Sequence, residues 1–208
     1  TSRAKVGDYD AESKELILAA IQLFRCAVST EKPFPDKVQE VAMAKDAWMI
    51  ALKDHDAEYI KPTTEVIKLI TRRAPQVRGE LKTKVRPLVA VMYGFEDSYK
   101  NGTARKNAEL VDELKEEYAF VYKVFFSSDT PASGLYQHPI LQKVINLMWF
   151  ANKSDEGIAH PEYFTPFPAK ALALVATVIE CCLDEWASGT RVDVPFTSTA
   201  YSSVFSAH

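Results

Sequence analysis

The chain has 208 residues with 47% apolar and 25% charged side chains and a formal net charge of −3, a composition that excludes intrinsic disorder. Glycine supplies only 7 of the 208 residues, half the usual ~7% share, which argues against Gly-rich nucleotide folds and turn-dense β-sandwiches. A helical domain is the first expectation, and its length suffices to bury a core without disulfides or a metal.

Asp10 is a natural N-cap, and Leu16, Ile17, Ala20, Leu23, Phe24 and Ala27 repeat at three and four, which predicts a helix ending near Thr30. The Pro33-Phe34-Pro35-Asp36 turn stops it. A second helix is predicted as far as His55, with Val38, Val41, Ala42, Ala44, Trp48 and Leu52 as its apolar stripe. Pro62-Thr63 opens a short helix through Arg73, capped by the threonine hydroxyl. Pro75 opens the next, with Leu81, Val85, Leu88 and Met92 on one side, and Pro87 is expected to kink or divide it.

Asn101-Gly102-Thr103 reads as a turn and cap before a charged surface helix over 104–117, with Leu110 and Leu114 inward. The aromatic and β-branched stretch 118–126 suits a strand or a helix, and helix is preferred because no partner strand is evident. A loop over 127–134, an apolar helix over 139–151 and a proline-rich aromatic connection over 157–168 follow. The most apolar helix spans 169–187 and closes on Ser188-Gly189, and an extended piece over 192–196 precedes a last short helix from Ser198. No internal repeat or low-complexity linker interrupts the chain. The expected architecture is all-α: a single compact, bundle-like domain over 1–208 with about seven to nine helices.

Chemistry-bearing patterns are sparse. Cys26, Cys181 and Cys182 form no disulfide framework and suit a reducing compartment, so the expected setting is intracellular, with the nucleus as one location. No apolar run reaches the ~20 residues of a bilayer span, so no membrane partner is expected. His55, His138, His160 and His208 lack partners at helical spacing, and neither a metal nor a cofactor is expected. Glu180 and Asp184 lie four apart on the apolar helix and share a face. Such a pair can divide into acid and base if burial separates the two pKa values, but a polar stripe of Lys170, Thr177, Glu180, Asp184 and Ser188 is the simpler reading.

Charge gives the strongest asymmetry. Between Lys61 and Arg86 stand Lys61, Lys68, Arg72, Arg73, Arg78, Lys82, Lys84 and Arg86 against only Glu65 and Glu80, so this segment carries +6 and the rest of the chain −9. A basic island on an acidic chain is the footprint of contacts to phosphates or to an acidic partner. The candidate binding residues are Lys68, Arg72, Arg73, Arg78, Lys82, Lys84 and Arg86. The opposing reading has their stems snorkelling beside the Leu81–Val85–Leu88 face. The island holds no aromatic residue for base stacking.

Several landmarks together carry a resemblance: Asp8-Tyr9-Asp10, Phe34-Pro35-Asp36, Arg78-Gly79-Glu80-Leu81-Lys82, Tyr93-Gly94-Phe95, Gly134-Leu135-Tyr136-Gln137-His138-Pro139, Trp149-Phe150, Gly157-Ile158 and the Leu183-Asp184-Glu185-Trp186 run ending at Gly189. The chain resembles an uncharacterised fungal domain family, widespread in mushroom-forming basidiomycetes, that commonly forms the C-terminal part of longer proteins with disordered N-terminal regions. The resemblance implies such a setting, which would account for a chain starting without methionine, and it transfers no activity, cofactor or catalytic residue.

The expected function is therefore a non-enzymatic helical binding module that contacts nucleic acid or another polyanion through 61–86. The alternatives are a protein-interaction or self-association domain, motivated by the aromatic connection around Tyr163, Phe164 and Phe167, and an enzyme using Glu180, Asp184 or a histidine in a helical cavity.

Overall fold

Local capping chemistry sets most of the helix starts. The Asp10 carboxylate accepts the Ser13 N–H and opens α1, Ala11–Thr30. Asp36 accepts from Gln39, whose side chain returns the bond to the Asp36 N–H, so a reciprocal capping box opens α2, Lys37–Asp54. Thr63 accepts from Val66 at the head of α3, Thr64–Thr71. Helix α4, Arg73–Tyr93, starts two residues before Pro75, which fits the first turn because N–H groups there have no intrahelical acceptor. Pro87 does not divide α4, which continues to Tyr93.

The computed structural model describes residues 4–97, 100–124 and 131–208, and these are all-α. The later helices are α5 (Thr103–Lys115), α6 (Pro139–Trp149), α7 (Glu156–Ala159), α8 (Ala169–Asp184) and α9 (Ser198–Ala207). Among the described residues a 3-10 turn, Val6–Asp8, precedes α1, and two more, Glu116–Val121 and Pro161–Tyr163, follow α5 and α7. The turn before α5 is capped by Gly102 at φ +86° without a side-chain bond, so Thr103 is the first helical residue and not the cap.

The aromatic stretch after α5 departs from the helix expected there. Glu117 and Tyr118 take left-handed backbone angles, a 3-10 turn follows to Val121, and Val124 makes an isolated antiparallel bridge with Ser133. Two left-handed residues in succession end any α-helix, and the predicted run therefore breaks at its own start. The expected loop over 127–134 and Phe125 and Phe126 lie partly or wholly outside the described residues.

The chain gathers into two compact units, Thr1–Arg78 with Glu156–Ala171 and Gly79–Asp155 with Leu172–His208. In the first, α1 packs on α2 and α3, burying Ile17, Ala20, Phe24, Ala44, Trp48, Leu52, Val66 and Ile70. The Trp48 indole N–H donates to the Ile60 carbonyl, 2.7 Å away. The expected α2 stripe is only half right: Ala44, Trp48 and Leu52 are buried, whereas Val38 and Val41 face solvent and Ala47 and Ala51 take their place inside.

In the second unit the core comes from Leu81, Val85 and Val89 of α4, Val111 and Leu114 of α5, Ile140, Val144 and Trp149 at α6, and most of α8. Asn107, buried on α5, donates to the carbonyls of Glu96 and Gly189 and accepts the Glu96 N–H, so one amide satisfies three backbone groups. Gly189 is required where it stands: φ is +83°, and a Cβ there would lie 2.0 Å from the Ala104 carbonyl oxygen.

Candidate anion-binding surface

The basic segment splits between the two units, and its members do different work. In the first unit Lys68, on α3, is exposed and stands four residues before Arg72, which puts the two on one side of the helix. The Arg72 guanidinium donates to the Ala4 carbonyl at 3.3 Å. Arg73 donates through Nη1 to the Gln76 side-chain oxygen, while its Nε is buried without a hydrogen-bond acceptor. Arg72 and Arg73 line a cavity of about 530 Å3 together with Lys5, and among the described residues no carboxylate lines it.

Arg78 is also in the first unit but is buried, 8% exposed. It donates to the Pro33 carbonyl at 2.9 Å and lies over the Phe34 ring, 5.4 Å from its centroid. Burial draws its pKa below the ordinary arginine value, opposed by the field of Glu40. This guanidinium fastens the turn between α1 and α2.

In the second unit Lys82 and Arg86 are committed internally. Arg86 grips Glu185 with two hydrogen bonds, Nε to Oε2 at 2.8 Å and Nη2 to Oε1 at 2.7 Å, and Lys82 reaches the same carboxylate at 2.8 Å. Asp193 pairs with both cations. Burial alone would pull the Lys82 ammonium down, but its hydrogen bonds to Glu185 and Asp193 outweigh that and hold it above the ordinary lysine value. Lys84 donates to the Leu147 carbonyl at 2.7 Å. The seven predicted residues therefore do not present one set of free cations: Arg78, Lys82, Lys84 and Arg86 serve internal carbonyls and carboxylates, and Lys68, Arg72 and Arg73 stand by α3 and the start of α4, where Arg72 and Arg73 also donate to the Ala4 carbonyl and to Gln76.

The Glu180–Asp184 pair of α8 is as fully engaged. Lys115 of α5 binds both, at 2.6 Å from Asp184 and 3.3 Å from Glu180, the Tyr201 hydroxyl donates to Asp184 at 2.7 Å, and His208 meets Glu180 at 3.0 Å. Burial works to raise the Glu180 pKa, yet His208 and Lys115 outweigh it and leave the carboxyl below its ordinary value. Two further cavities, of about 300 Å3 beside Tyr163 and 340 Å3 beside Trp186, and the cavity beside Arg73 have neither Glu180 nor Asp184 in their walls. These carboxylates join α8 to α5 and α9. Sequence spacing found the pair but not Lys115, Tyr201 or His208, which arrive from other helices.

All three cysteines are buried free thiols; burial pushes Cys181 up to about 11 and raises Cys26 and Cys182 as well. Among the described residues no three His, Cys, Asp or Glu side chains gather as a metal site, and no helix is long and apolar enough to cross a membrane. In the aromatic connection Phe164 is buried, while Tyr163 and Phe167 are half-buried.

No curated protein and no solved structure matches the chain significantly. A family profile does, over residues 19–208, which includes the basic segment from Lys61 to Arg86 but not Lys5; the chain belongs to the family described as Domain of unknown function (DUF6532).

Proposed function

We propose that this chain is a non-enzymatic binding module that holds a polyanion, nucleic acid in the first place, through the first-unit part of its basic segment: Lys61, Lys68, Arg72 and Arg73. The supporting observation is the arrangement at the α3–α4 joint, where Lys68 and Arg72 share a side and Arg72, Arg73 and Lys5 line one cavity with no carboxylate among its described lining residues. Arg78, Lys82 and Arg86 are left out of this surface because Arg78 is buried and Lys82 and Arg86 are ion-paired with Glu185 and Asp193. In this reading the domain works at the C-terminal end of a longer intracellular fungal protein and meets its ligand in the nucleus.

Phosphate contacts make binding salt-dependent, with log K falling by about 0.9 per log unit of salt for each duplex phosphate neutralised. A site of about three contacts then loses ~40-fold between about 50 and 200 mM salt. Polarisation titrations with labelled duplex and single-stranded oligonucleotides measure this. The triple variant Lys68→Glu, Arg72→Glu, Arg73→Glu is expected to lose binding, while Lys84→Gln keeps it. Absence of binding at low salt, or binding unchanged in the triple variant, overturns the proposal.

Self-association has its own supporting observation: Val38, 80% exposed, Val41 and Met49 lie on the solvent side of α2. Light scattering in the same buffer separates a dimer that forms without oligonucleotide from a monomer that binds it.

A further inference from the structure

The cavity of about 340 Å3 beside Trp186 belongs wholly to the second unit, and its volume falls within the roughly 300–1,000 Å3 of small-ligand sites. Phe95 and Trp186 border it, stacked with 5.0 Å between ring centroids and 14° between planes, and Pro87 of α4 adds apolar surface. Of the charged residues in its walls, Arg86 is committed to Glu185 and Asp193. Arg191 and Asp97 are different: both are exposed, and among the described residues neither has a hydrogen bond or an ion pair, with the other included.

Trp186 supplies a third open group. The residue is only 3% exposed, yet its indole N–H has no acceptor among the described residues. Nor is that nitrogen sealed from solvent, as the unpartnered nitrogens of Arg73 and His160 are. A buried indole ordinarily finds an acceptor, as Trp48 does at the Ile60 carbonyl. One cavity thus gathers an uncommitted cation, an uncommitted anion, an open N–H donor and an aromatic wall. Opposite charges around one space suit a zwitterion and disfavour a polyanion.

We propose that this cavity binds a free α-amino acid with an aromatic side chain. The ligand carboxylate takes the Arg191 guanidinium and the Trp186 N–H, its ammonium takes Asp97, and its ring packs against Phe95 and Trp186. The inference goes beyond the polyanion reading and does not depend on it, because none of these residues belongs to the surface around Lys68, Arg72 and Arg73.

The test is an NMR titration of the full chain with L-phenylalanine, with 3-phenylpropanoate, which lacks the ammonium, and with 2-phenylethylamine, which lacks the carboxylate. L-Phenylalanine is expected to saturate with a Kd of about 1 mM, and each one-ended analogue to bind about tenfold more weakly. The Trp186 indole N–H signal, identified by its loss in Trp186→Phe, is expected to shift with the two carboxylates and not with the amine. Arg191→Gln is expected to weaken the two carboxylates about tenfold and spare the amine, and Asp97→Asn to do the reverse. Both variants change exposed positions, so folding is retained and circular dichroism checks it. Absence of saturation by L-phenylalanine, equal binding of 3-phenylpropanoate and L-phenylalanine, or affinities unchanged in both exposed variants overturns the inference. Each of these results leaves the oligonucleotide titrations to decide the polyanion reading by themselves.

Discussion

Glu185 governs the energetics of the second unit's charge network. Its carboxylate is 1% exposed and faces Lys82 and Arg86 at hydrogen-bonding distance, with Asp193, which is itself largely exposed, completing the group. Removing one partner of a buried pair strands the other in low dielectric, which costs about 3–5 kcal/mol, whereas a surface pair is worth less than about 1. Because Arg86 keeps some solvent and Asp193 remains, Glu185→Ala is expected at the lower end, a loss of about 3 kcal/mol in urea unfolding. A loss under about 1 kcal/mol would mean that the pairs behave as surface ones. In the sequence Lys82 and Arg86 are neighbours one turn apart beside an apolar face, which predicts snorkelling. Their acceptor stands 99 residues beyond Arg86, and no local pattern carries that information. The same holds for Asn107, whose backbone partners at Glu96 and Gly189 exist only once the chain has folded.

At the scale of elements, legibility follows the range of the interaction that sets each boundary. Asp10, Asp36 and Thr63 cap helices through bonds to residues three further on, so the sequence contains both ends of the interaction. The Glu117–Tyr118 reversal is different: left-handed angles at two non-glycine residues precede the buried Ala119, Phe120 and Val121, and propensity points the other way. Helix α6 shows a cap that also titrates. His138 Nδ1 accepts the Ile140 N–H at 3.3 Å, its ring stacks on Tyr93 at 4.9 Å, and burial lowers its pKa below 6.5. The unfolded chain therefore binds this proton more readily than the native one, so the stabilisation is complete above pH 6.5 and is lost as pH falls through the lowered native value. Glu180 is also held below its ordinary 4.5, so its contribution fades only at still more acidic pH. The urea midpoint should fall between pH 7 and 5, and His138→Asn, which keeps a capping acceptor without the titration, should flatten that fall. An unchanged pH slope in the variant would remove His138 as its source.

For the whole molecule, the informative facts are the two units and where the chain passes between them. Two of the three divisions fall inside helices, between Arg78 and Gly79 of α4 and between Ala171 and Leu172 of α8, and the third falls between Asp155 and Glu156, where α7 begins. Helices α4 and α8 are continuous through those two divisions, so melting one unit frays a helix whose remainder belongs to the other. No compositional boundary accompanies the division, so it could not be read from the sequence. The cysteines make the consequence measurable, because Cys26 belongs to the first unit and Cys181 and Cys182 to the second, and all three are buried. Burial also raises the pKa of each, to about 11 for Cys181, so the native thiols are poor nucleophiles as well as inaccessible. In an alkylation series across urea, followed by peptide mass spectrometry, native protein is expected to stay unlabelled and all three thiols to become reactive over one common transition. Labelling of Cys26 at a urea concentration that still protects Cys181 and Cys182, or the reverse, would show that the shared helices do not couple the units and that each unfolds by itself.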